Sequence, residues 1–576
     1  MRPWLYLNLM RYRYAALLSV ISLAFNALAQ AAPPVLDYLF PAGGQRGTSV
    51  AVTAAGTFDS WPVQGWVDST AIHVKAAKEK GALTIQIDPT ATVGPHLLRL
   101  YTEDGASALR CFVIGDSLEA LEIEPNDELR AAQTISKLPV TINGQLDKSG
   151  DVDCYALKLE KGTCLVASLQ GRRLGSSMDP MLHLLGPDGI ECAFAHDGLG
   201  LDPLLSYRVE KPGRYVVRVS AFSFPPAADV KLAGGKGDLY RLHLTTGPVA
   251  RFCLPSGISR KEKSQLHLQG WNFPPTGASS EVTFDPNSIT GLETFINIPT
   301  PGGDGWLRAE VGDGPEWLDQ EARKEGVVLP VPINITGRIQ SPGEVHRFKM
   351  TLKKDEQVRF IVRTGILNSP LDALLHVENR DGKVVATANA GGISQDVIQD
   401  WTAGVDGDFY LTLSDLFGKG ASDAMYRLEI KHPSPTVTAT IDTHAIRLVP
   451  GKSATVKLNV SRKDGHSAGL IAVATGLPKG VTATSAEVPP KGGEIAIALT
   501  AAADATPAND VVHFMILGTD AKHPEVHTVP YLLRQEKDVI QEWVDQTDAA
   551  WLTVVPIPPA TKPSTMPTTK PAANPK

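Results

Sequence analysis

The stretch from Glu122 to Leu244 occurs twice in this chain, and this internal repeat constrains the fold more than any other feature of the sequence. Gly144 and Gly337 lie in matching apolar runs 193 positions apart, and Asp179 and Asp372 are separated by the same interval. This interval exceeds the periods of about 20–50 residues that are typical of solenoids and propellers. The repeat therefore predicts two copies of a whole domain.

Both copies consist of short runs in which apolar and polar residues alternate between prolines and glycines, a pattern typical of an all-β sandwich. The order of motifs in the first copy resembles the bacterial pre-peptidase C-terminal domain. The shared motifs are the Glu-x-Glu-Pro-Asn-Asp opening, the Gly-Asp-x-Asp-x-Tyr phrase and the closing Tyr-Arg-Leu strand. The resemblance implies a small sandwich used for binding, adhesion or secretion support, and it does not by itself imply proteolysis. The second copy lacks the acidic opening and resembles the family less closely.

A repeated segment also precedes each copy. Three residue pairs lie 214 positions apart: Pro41 and Pro255, Arg46 and Arg260, and Gly56 and Gly270. The first of these segments resembles immunoglobulin-like domains of the IPT/TIG type, and the second resembles a shorter, degenerate version. A later segment contains a Leu-Pro-x-Gly-Val phrase at 477–481 and resembles other immunoglobulin-like domains of exported bacterial proteins.

The predicted fold class is therefore all-β, with immunoglobulin-like and jelly-roll-like β-sandwich domains in series. The predicted segments are a signal peptide (1–29), an immunoglobulin-like domain (33–115), a pre-peptidase-type sandwich (120–247), a degenerate immunoglobulin-like domain (248–313), a second pre-peptidase-type sandwich (316–432), an immunoglobulin-like domain (434–534) and a mostly disordered tail (535–576). The tail ends in a Pro-, Thr- and Lys-rich stretch, which cannot bury a core.

The N-terminus predicts export. A basic region with Arg2, Arg11 and Arg13 precedes an apolar run, and Ala27–Ala29 is a small-x-small cleavage site. The apolar run is shorter than the roughly 20 residues that a spanning helix needs, so a cleaved signal is favoured over a membrane anchor. We expect the mature protein in the periplasm, at the cell surface or outside the cell, without a transmembrane segment.

The sharpest candidate site is a concentration of oxygen-bearing side chains at the start of the first copy. Its members are Glu122, Glu124, Asn126, Asp127, Asp151 and Asp153. Carboxylate and amide oxygens with several negative charges are the ligands that Ca²⁺ takes, and the family resemblance implies a calcium site on these residues. The alternative is a solvated acidic linker in which Pro125 and Asn126 make a turn. The second copy has Pro342–Glu344 at the position of the Gly-Asp phrase, so we expect no metal there.

Two further groups of residues receive structural interpretations. Asp179 and Asp372 lie inside apolar strands, where a carboxylate is expected to cap a turn or accept backbone hydrogen bonds. Of the five cysteines, Cys154 and Cys164 lie on successive predicted strands. A bridge between them is possible, and buried free thiols are the alternative.

Several classes of function are disfavoured. The net charge is −7 over 576 residues, and no basic cluster is interleaved with aromatic residues, so nucleic acid is not an expected partner. No nucleophile elbow or zinc-protease motif is present, and the predicted modules leave no segment long enough for a catalytic domain. The sequence predicts a non-catalytic binding or scaffolding protein that recognises a protein or a polysaccharide. The alternatives are an accessory chain of a secreted peptidase, a hydrolase with an unfamiliar site, and a purely structural envelope protein.

Overall fold

The computed structural model describes residues 31–223, 231–274, 280–288, 294–301, 305–390, 396–520, 522, 524–533, 544 and 546–557. The predicted signal peptide and the Pro-rich end of the predicted tail lie outside the described residues. Within them the chain forms 47 strands and one short α-helix, α1 (Asp319–Ala322). The strands pair into β-sheets that follow one another along the chain. This confirms the predicted all-β class and the serial β-sandwiches. No helix in these ranges is long and apolar enough to cross a bilayer.

Module 1 contains nine strands that pair in one strongly curved sheet. They are β1 (Val35–Phe40), β2 (Gly43–Gln45), β3 (Ser49–Thr57), β4 (Gln64–Val67), β5 (Ile72–Ala76), β6 (Ala82–Ile87), β7 (Gly94–Thr102), β8 (Gly105–Ala106) and β9 (Arg110–Gly115). The order is β1-β3-β6-β5-β4-β7-β9-β2, and β8 pairs with β7. Alternation along β6 buries Leu83, Ile85 and Ile87 in the core and exposes the two residues between them, as the two-residue period of a strand requires.

Module 2 is a sandwich of two sheets. Its strands are β10 (Leu118–Leu121), β11 (Gln133–Ile135), β12 (Val140–Gln145), β13 (Asp153–Leu159), β14 (Cys164–Gln170), β15 (Met178–Leu185), β16 (Glu191–Ala195), β17 (Gly198–Leu199), β18 (Asp202–Arg208), β19 (Gly213–Ser223) and β20 (Leu239–Thr245). One sheet has the order β10-β12-β20-β14-β18-β17 and the other β11-β13-β19-β15-β16. The inner faces bury one apolar core that includes Tyr155, Leu169 and Leu242.

Module 3 is the smallest unit and consists of two three-stranded sheets. Its strands are β21 (Val249–Leu254), β22 (Gly257–Ser259), β23 (Ser264–Trp271), β24 (Glu281–Phe284), β25 (Phe295–Pro299) and β26 (Trp306–Gly312). The orders are β21-β23-β24 and β22-β26-β25. The parallel pair β22 and β26 corresponds to the parallel pair β2 and β9 of module 1.

Module 4 repeats the strand order of module 2. Its strands are β27 (Glu316–Leu318), β28 (Ile333–Arg338), β29 (Val345–Leu352), β30 (Gln357–Arg363), β31 (Ala373–Glu378), β32 (Val384–Asn389), β33 (Val397–Thr402), β34 (Gly407–Asp415) and β35 (Met425–Lys431). The orders β27-β28-β35-β30-β33 and β29-β34-β31-β32 match those of module 2 strand for strand, except that β11 and β17 have no counterpart among the described residues. Gly144 faces Tyr240 in one copy, and Gly337 faces Tyr426 in the other.

Module 5 extends further along the chain than the sequence predicts. Its strands are β36 (Thr436–Ile441), β37 (Ala445–Leu448), β38 (Ser453–Lys463), β39 (Leu470–Thr475), β40 (Val481–Ala483), β41 (Ala486–Glu487), β42 (Gly493–Ala501), β43 (Ala508–Gly518), β44 (Val526–Thr528), β45 (Tyr531–Leu532), β46 (Gln546–Thr547) and β47 (Ala550–Val554). β47 lies between β37 and β43, and all five of its residues are buried. The predicted boundary at residue 534 is therefore too early. A strand buried on both faces lacks the polar-apolar alternation on which the prediction depended.

The joint between modules 1 and 2 is closed by Arg241 of β20, whose side chain is almost completely buried. Both of its Nη atoms donate to the Glu119 carboxylate, at 2.7 and 3.1 Å, and Nη1 also donates to Asn143 at 2.9 Å. Gly43 of module 1 packs so closely on this guanidinium that a Cβ at that position would overlap it. Bidentate pairs of this kind are short, strong and directional, so this pair, which lies within module 2, holds the guanidinium in the position where Gly43 of module 1 packs on it.

The joint between modules 3 and 4 has the same design. Arg427 of β35 donates to Glu316 at 2.5 Å and to Glu310 of β26 at 2.6 Å. Gly257 of module 3 lies against this guanidinium, as Gly43 does in module 1. The side chain of Arg427 is 2% exposed and is the charge partner of Glu316, whereas Glu310 also pairs with Arg363 at 3.2 Å.

The first and last modules also touch, so the modules form a closed arrangement. Arg99 of β7 is fully buried and donates to the backbone oxygens of His444 and Ala549 in module 5, at 3.1 and 3.3 Å. Its guanidinium lies 5.3 Å from the ring centre of Trp66 and 5.5 Å from that of Trp551. Cation–π contacts of this length, shielded from water, strengthen the contact between the two ends of the chain.

The arginine joints give a first testable prediction. Replacing Arg427 by Met keeps much of the apolar stem but leaves the largely buried Glu316 without its positive partner and Glu310 with Arg363 alone. Breaking a buried pair in this way costs about 3–5 kcal/mol. We expect the calorimetric transition that contains modules 3 and 4 to lose about that much.

The matched control is Arg380→Met, at an exposed arginine of the same module. Its effect should stay within about 0.5 kcal/mol. Equal effects of the two substitutions would contradict the proposed role of the joint.

Candidate metal centre

The candidate centre forms where strands of both sheets of module 2 meet at one edge. Glu122 follows β10, which runs parallel to β12, and its N–H donates to the Asn143 oxygen at 3.0 Å. The Glu122 carboxylate accepts the N–H of Gln145 at 2.8 Å. Asp153 begins β13 in the opposite sheet. The sheet pairing therefore brings the acidic opening and the Gly-Asp phrase, which are separated in sequence, to one place.

The inner part of the centre is a pair of carboxylates that share one tyrosine. Asp153 is completely buried, and its Oδ2 accepts the hydroxyl of Tyr240. The same hydroxyl lies 3.3 Å from Glu122 Oε2. The other oxygen of Asp153, Oδ1, is buried without a hydrogen-bond partner in the described part of the chain. Burying a carboxylate oxygen without a partner is unfavourable, so this atom is available to coordinate a cation.

The electrostatics of the inner pair agree with this geometry. Burial raises the pKa of Glu122 to about 7. Burial, together with the charge of Glu122, raises the pKa of Asp153 to about 9. Two carboxylates in one dry site cannot both ionise without a compensating cation.

The outer part of the centre consists of Glu124, Asp127 and Asp151, whose carboxylate oxygens lie within 4.8 Å of one another. Asp151 is 1% exposed, and its Oδ2 accepts the N–H of Asp147 at 2.7 Å. Lys148 reaches this group from the surface, with its Nζ 3.1 Å from Asp151 Oδ1 and 3.6 Å from Asp127 Oδ2. Because 58% of the lysine side chain is exposed, its ammonium is a screened partner for the outer carboxylates.

Asn126 is the sixth predicted residue, and its side chain lacks hydrogen bonds in the described part of the chain. It is completely buried, and neither its amide oxygen nor its amide nitrogen has a partner among the described residues. Its backbone is well anchored, since its N–H donates to Glu124 at 2.9 Å and its oxygen accepts from Cys154 at 3.1 Å. The structure assigns no turn to Pro125 or Asn126, and the amide is buried rather than exposed in a solvated linker.

The donor set matches one class of metal ion. All six predicted residues offer oxygen, and five are carboxylates. Ca²⁺ takes six to eight such oxygens in flexible geometry, whereas Zn²⁺ favours nitrogen and sulfur. Cys154 Sγ donates to the backbone oxygen of Asp127 at 3.5 Å, and burial raises the pKa of this thiol to about 11, so it is not a metal ligand at neutral pH.

The equivalent place in module 4 has a histidine and an arginine-paired carboxylate instead, and burial lowers the pKa of the histidine, His346, so that it is neutral. His346 lies 193 positions after Asp153 and is completely buried. Its Nδ1 is 2.6 Å from the Tyr426 hydroxyl, and its Nε2 is 2.9 Å from Glu344. Asp319 takes the place of Glu122 beside the paired glycine, and Arg323 donates to it at 2.7 Å. The two copies thus differ in where the positive charge is located.

Some interactions in module 2 were not foreseen from the sequence. Tyr240 and Lys148 belong to the centre, although the sequence pattern indicates only that the tyrosine lies on a strand. In the described part of the chain, the Asp179 carboxylate accepts no backbone hydrogen bond, and its Oδ2 lies 3.3 Å from Nε2 of His196. Asp179, His196 and Asp197 bring ligand atoms within 4.8 Å of one another. The adjacent residues His196 and Asp197 are the sequence feature that indicates this cluster. Only the pairing of β15 with β16 brings them close to Asp179.

The bridge considered between Cys154 and Cys164 is not formed, because all five cysteines are free thiols. Cys154, Cys164 and Cys253 are buried. They pack as small apolar residues, which was the alternative prediction.

Comparison with known proteins adds little. No family model matches the chain, and no curated protein matches it. Among solved structures, trypsin-activated alpha-2-macroglobulin from Escherichia coli has 9% identity and a TM-score of 0.14, and the match covers 87% of this chain and 49% of that one. The D0-D1 domain of intimin has 13% identity and a TM-score of 0.12, covering 34% and 96%. The ICAM-5 ectodomain fragment has 10% identity and a TM-score of 0.10, covering 85% and 96%.

The chain thus spans about half the length of the macroglobulin that it matches. Similarities at these TM-scores do not indicate a function for this chain.

The raised pKa values predict how stability depends on pH when no metal is bound. In the folded state Glu122 and Asp153 hold protons up to about pH 7 and 9, whereas the unfolded chain releases them near pH 4. The folded state therefore binds more protons in this window, and its stability falls as pH rises. In EDTA, we expect the Tm of module 2 to fall by roughly 5 °C or more between pH 5 and pH 8.

Asp153→Asn removes one of the two charges while keeping the shape of the side chain. We expect this variant to lose most of the decline in Tm over the same range. An unchanged decline in the variant would show that the inner carboxylates are not its cause.

Proposed function

We propose that this chain is an exported, non-catalytic binding and scaffolding protein of the cell envelope or extracellular space, and that module 2 binds a calcium ion. The observation that carries the calcium proposal is the contrast between the two copies. Module 4 contains His346 and Arg323 beside its buried tyrosine, whereas module 2 contains Glu122 and Asp153 there. In module 4 a neutral histidine replaces one carboxylate and Arg323 pairs with Asp319, whereas the two carboxylates of module 2 require a cation from solution.

Two details of module 2 support a bound cation over a self-sufficient acidic cluster. The unpartnered oxygen of Asp153 and the unpartnered amide of Asn126 are both completely buried. Lys148 contacts Asp151 and Asp127 from the surface, and it makes no hydrogen bond to Asp153 among the described residues. A cation placed among the outer carboxylates would lower the pKa of the inner pair and satisfy oxygens that lack hydrogen-bond partners.

Calcium is favoured over magnesium by the donor set. Mg²⁺ requires near-ideal octahedral geometry and keeps several waters, whereas Ca²⁺ accepts many carboxylates in irregular arrangements. Calcium sites of extracellular modules commonly have Kd values of about 10⁻⁴–10⁻³ M. A site of this strength agrees with the export predicted from the N-terminal residues.

The scaffolding part of the proposal depends on the joints. The Arg427–Glu310 pair joins module 4 to module 3, the buried Arg241 guanidinium of module 2 packs against Gly43 of module 1, and Arg99 joins module 1 to module 5. A chain of independent domains on flexible linkers would not need buried charges at its joints, since these are costly unless paired. The modules therefore form a rigid support that can present a surface to a protein or polysaccharide.

Calcium binding is tested by thermal unfolding of the mature chain in a calcium titration. A ligand that binds only the folded state raises its Tm. We expect a rise with Ca²⁺ and its loss in the double variant Glu124→Ala with Asp127→Ala, which removes two outer ligands.

The matched control is Glu160→Ala with Glu210→Ala, two exposed carboxylates of the same module that lie away from the centre. This control should keep the full rise in Tm. An equal rise in all three proteins, or no rise in the wild type, would rule out the proposed centre.

The non-catalytic role is tested by incubating the mature protein with peptide and glycan substrate panels and, in parallel, with binding arrays of the same compounds. We expect retention on a subset of the arrays and no cleavage above the buffer control. Turnover that disappears with Asp179→Asn, at the His-Asp cluster, would instead establish a hydrolase.

A further inference from the structure

A cavity of about 190 Å³ lies where modules 1, 2, 3 and 4 meet. Its wall includes Pro95 of module 1, Gln170 of module 2, Trp306 of module 3 and Asn368 of module 4. None of the six predicted metal ligands lines the cavity, so it is separate from the candidate metal centre. Ligand sites commonly form at such junctions between domains.

The charged residues of the wall all have partners within the chain. These pairs are Arg173 with Asp202, Arg251 with Asp423, Arg241 with Glu119, Asp116 with Arg46, and Arg308 with the ring of Phe295. A charged ligand would lose its water here without meeting an unpaired opposite charge among the described residues of the wall, and that loss is costly. The cavity therefore favours an uncharged ligand.

Uncharged polar side chains of the wall are available to such a ligand. The side-chain oxygen of Gln170 is buried without a hydrogen-bond donor in the described part of the chain. The hydroxyl of Ser168 and the side-chain amide of Asn297 also line the cavity and make no hydrogen bond to other described residues. A hydroxyl and an amide can each donate and accept. The wall thus matches a ligand that carries several hydroxyl groups.

The fold fixes the direction of two of these side chains. Ser168 and Gln170 lie two residues apart on β14, and the side chains of Ala167 and Leu169 belong to the core of module 2. Because successive side chains of a strand point to opposite faces, Ser168 and Gln170 both lie on the outer face of the sheet. This polar part of the wall is therefore held by a rigid element.

The second copy uses the same position differently. Arg363 of module 4 lies 193 positions after Gln170. Its guanidinium donates to Glu310 of module 3 at 3.2 Å and to Asp396 at 2.9 Å. In module 4 this position thus binds the neighbouring module, whereas in module 2 it places an uncharged amide at the wall of a cavity.

The part of the wall that module 3 contributes is aromatic. Trp271 and Trp306 both line the cavity, and both are only half-buried. Such side chains supply flat apolar surface, which suits the C–H groups on the face of a sugar ring, while the hydroxyls at the rim of the ring suit the polar side chains. A cavity of about 150 Å³ accommodates benzene, so the space here is sufficient for one six-membered ring with substituents.

We propose that this cavity binds an uncharged hexose in its pyranose form, the residue that ends a neutral polysaccharide. Its hydroxyls exchange hydrogen bonds with Ser168, Gln170 and Asn297, and a face of its ring lies against the tryptophans. The inference rests on the proposed non-catalytic binding role and names the ligand class for it. It does not depend on calcium at the candidate metal centre.

The test is calorimetric titration of the mature chain with the methyl glycosides of glucose, galactose and mannose. Two further probes are methyl glucuronide, which adds a carboxylate, and cyclohexanol, a six-membered ring with a single hydroxyl. We expect at least one methyl glycoside to bind, and to bind at least about tenfold more tightly than either of these probes, a difference of about 1.4 kcal/mol.

Variants of the wall test the contacts. Gln170→Met removes the amide and keeps the length of the side chain. It should weaken binding of the glycoside by about fivefold, or about 1 kcal/mol, the contribution of one neutral hydrogen bond. Trp271→Leu should weaken binding by at least as much. The matched control is Gln86→Met, at an exposed glutamine outside the cavity, and it should leave binding unchanged.

The Tm of each variant is measured alongside, and Gln170→Met decides if Trp271→Leu fails to fold. The inference would be overturned by methyl glucuronide or cyclohexanol binding as tightly as the best glycoside, or by unchanged binding in Gln170→Met. If no methyl glycoside binds but the wild type is retained on the binding arrays, the hexose site fails while the binding role stands. Each titration is run in EDTA and in Ca²⁺, so that a failure of the calcium proposal is seen separately.

Discussion

The structure depends on how it neutralises carboxylates that it buries. A buried carboxylate without a cation is unstable or takes up a proton, so each one requires a positive partner. At the joints that partner is arginine: Arg241 for Glu119, and Arg427 for Glu310 and Glu316. In the interior of module 4 it is Arg323, which pairs with Asp319, while the neutral His346 stands where module 2 has Asp153. In module 2 the described residues provide only the screened ammonium of Lys148, and this difference separates two modules with the same strand order.

The joint and the candidate metal centre are mechanically linked, because they use adjacent residues of the same strand. Tyr240 and Arg241 follow each other on β20, and successive side chains of a strand point to opposite faces. The tyrosine hydroxyl therefore reaches Asp153 in the interior while the guanidinium reaches Glu119 in the joint. Tyr426 and Arg427 repeat this arrangement in module 4. A cation that orders the edge of module 2 would thereby also steady the Arg241 guanidinium on which module 1 packs.

The sequence was sufficient for the features that depend on local pattern and on repetition. Alternation predicted the strands, and the spacing between Gly144 and Gly337 predicted two domains of one topology. The six oxygen-bearing residues around Glu122 and Asp153 were identified, but their division into an inner pair and an outer group depends on sheet pairing. The arginine joints and the cavity were not predictable, because Arg173, Arg251 and Arg308 come together only through contacts between modules. β47 was missed because a fully buried strand shows no alternation.

Direct counting of bound metal tests the central claim most closely. Equilibrium dialysis of the mature chain against radioactive calcium, at concentrations well above 10⁻³ M, gives the number of ions bound per chain without reference to stability. The account predicts one ion for the wild type and none for Asp153→His, in which module 2 receives the histidine of module 4. Two ions per wild-type chain, none, or an undiminished ion in the histidine variant would contradict it.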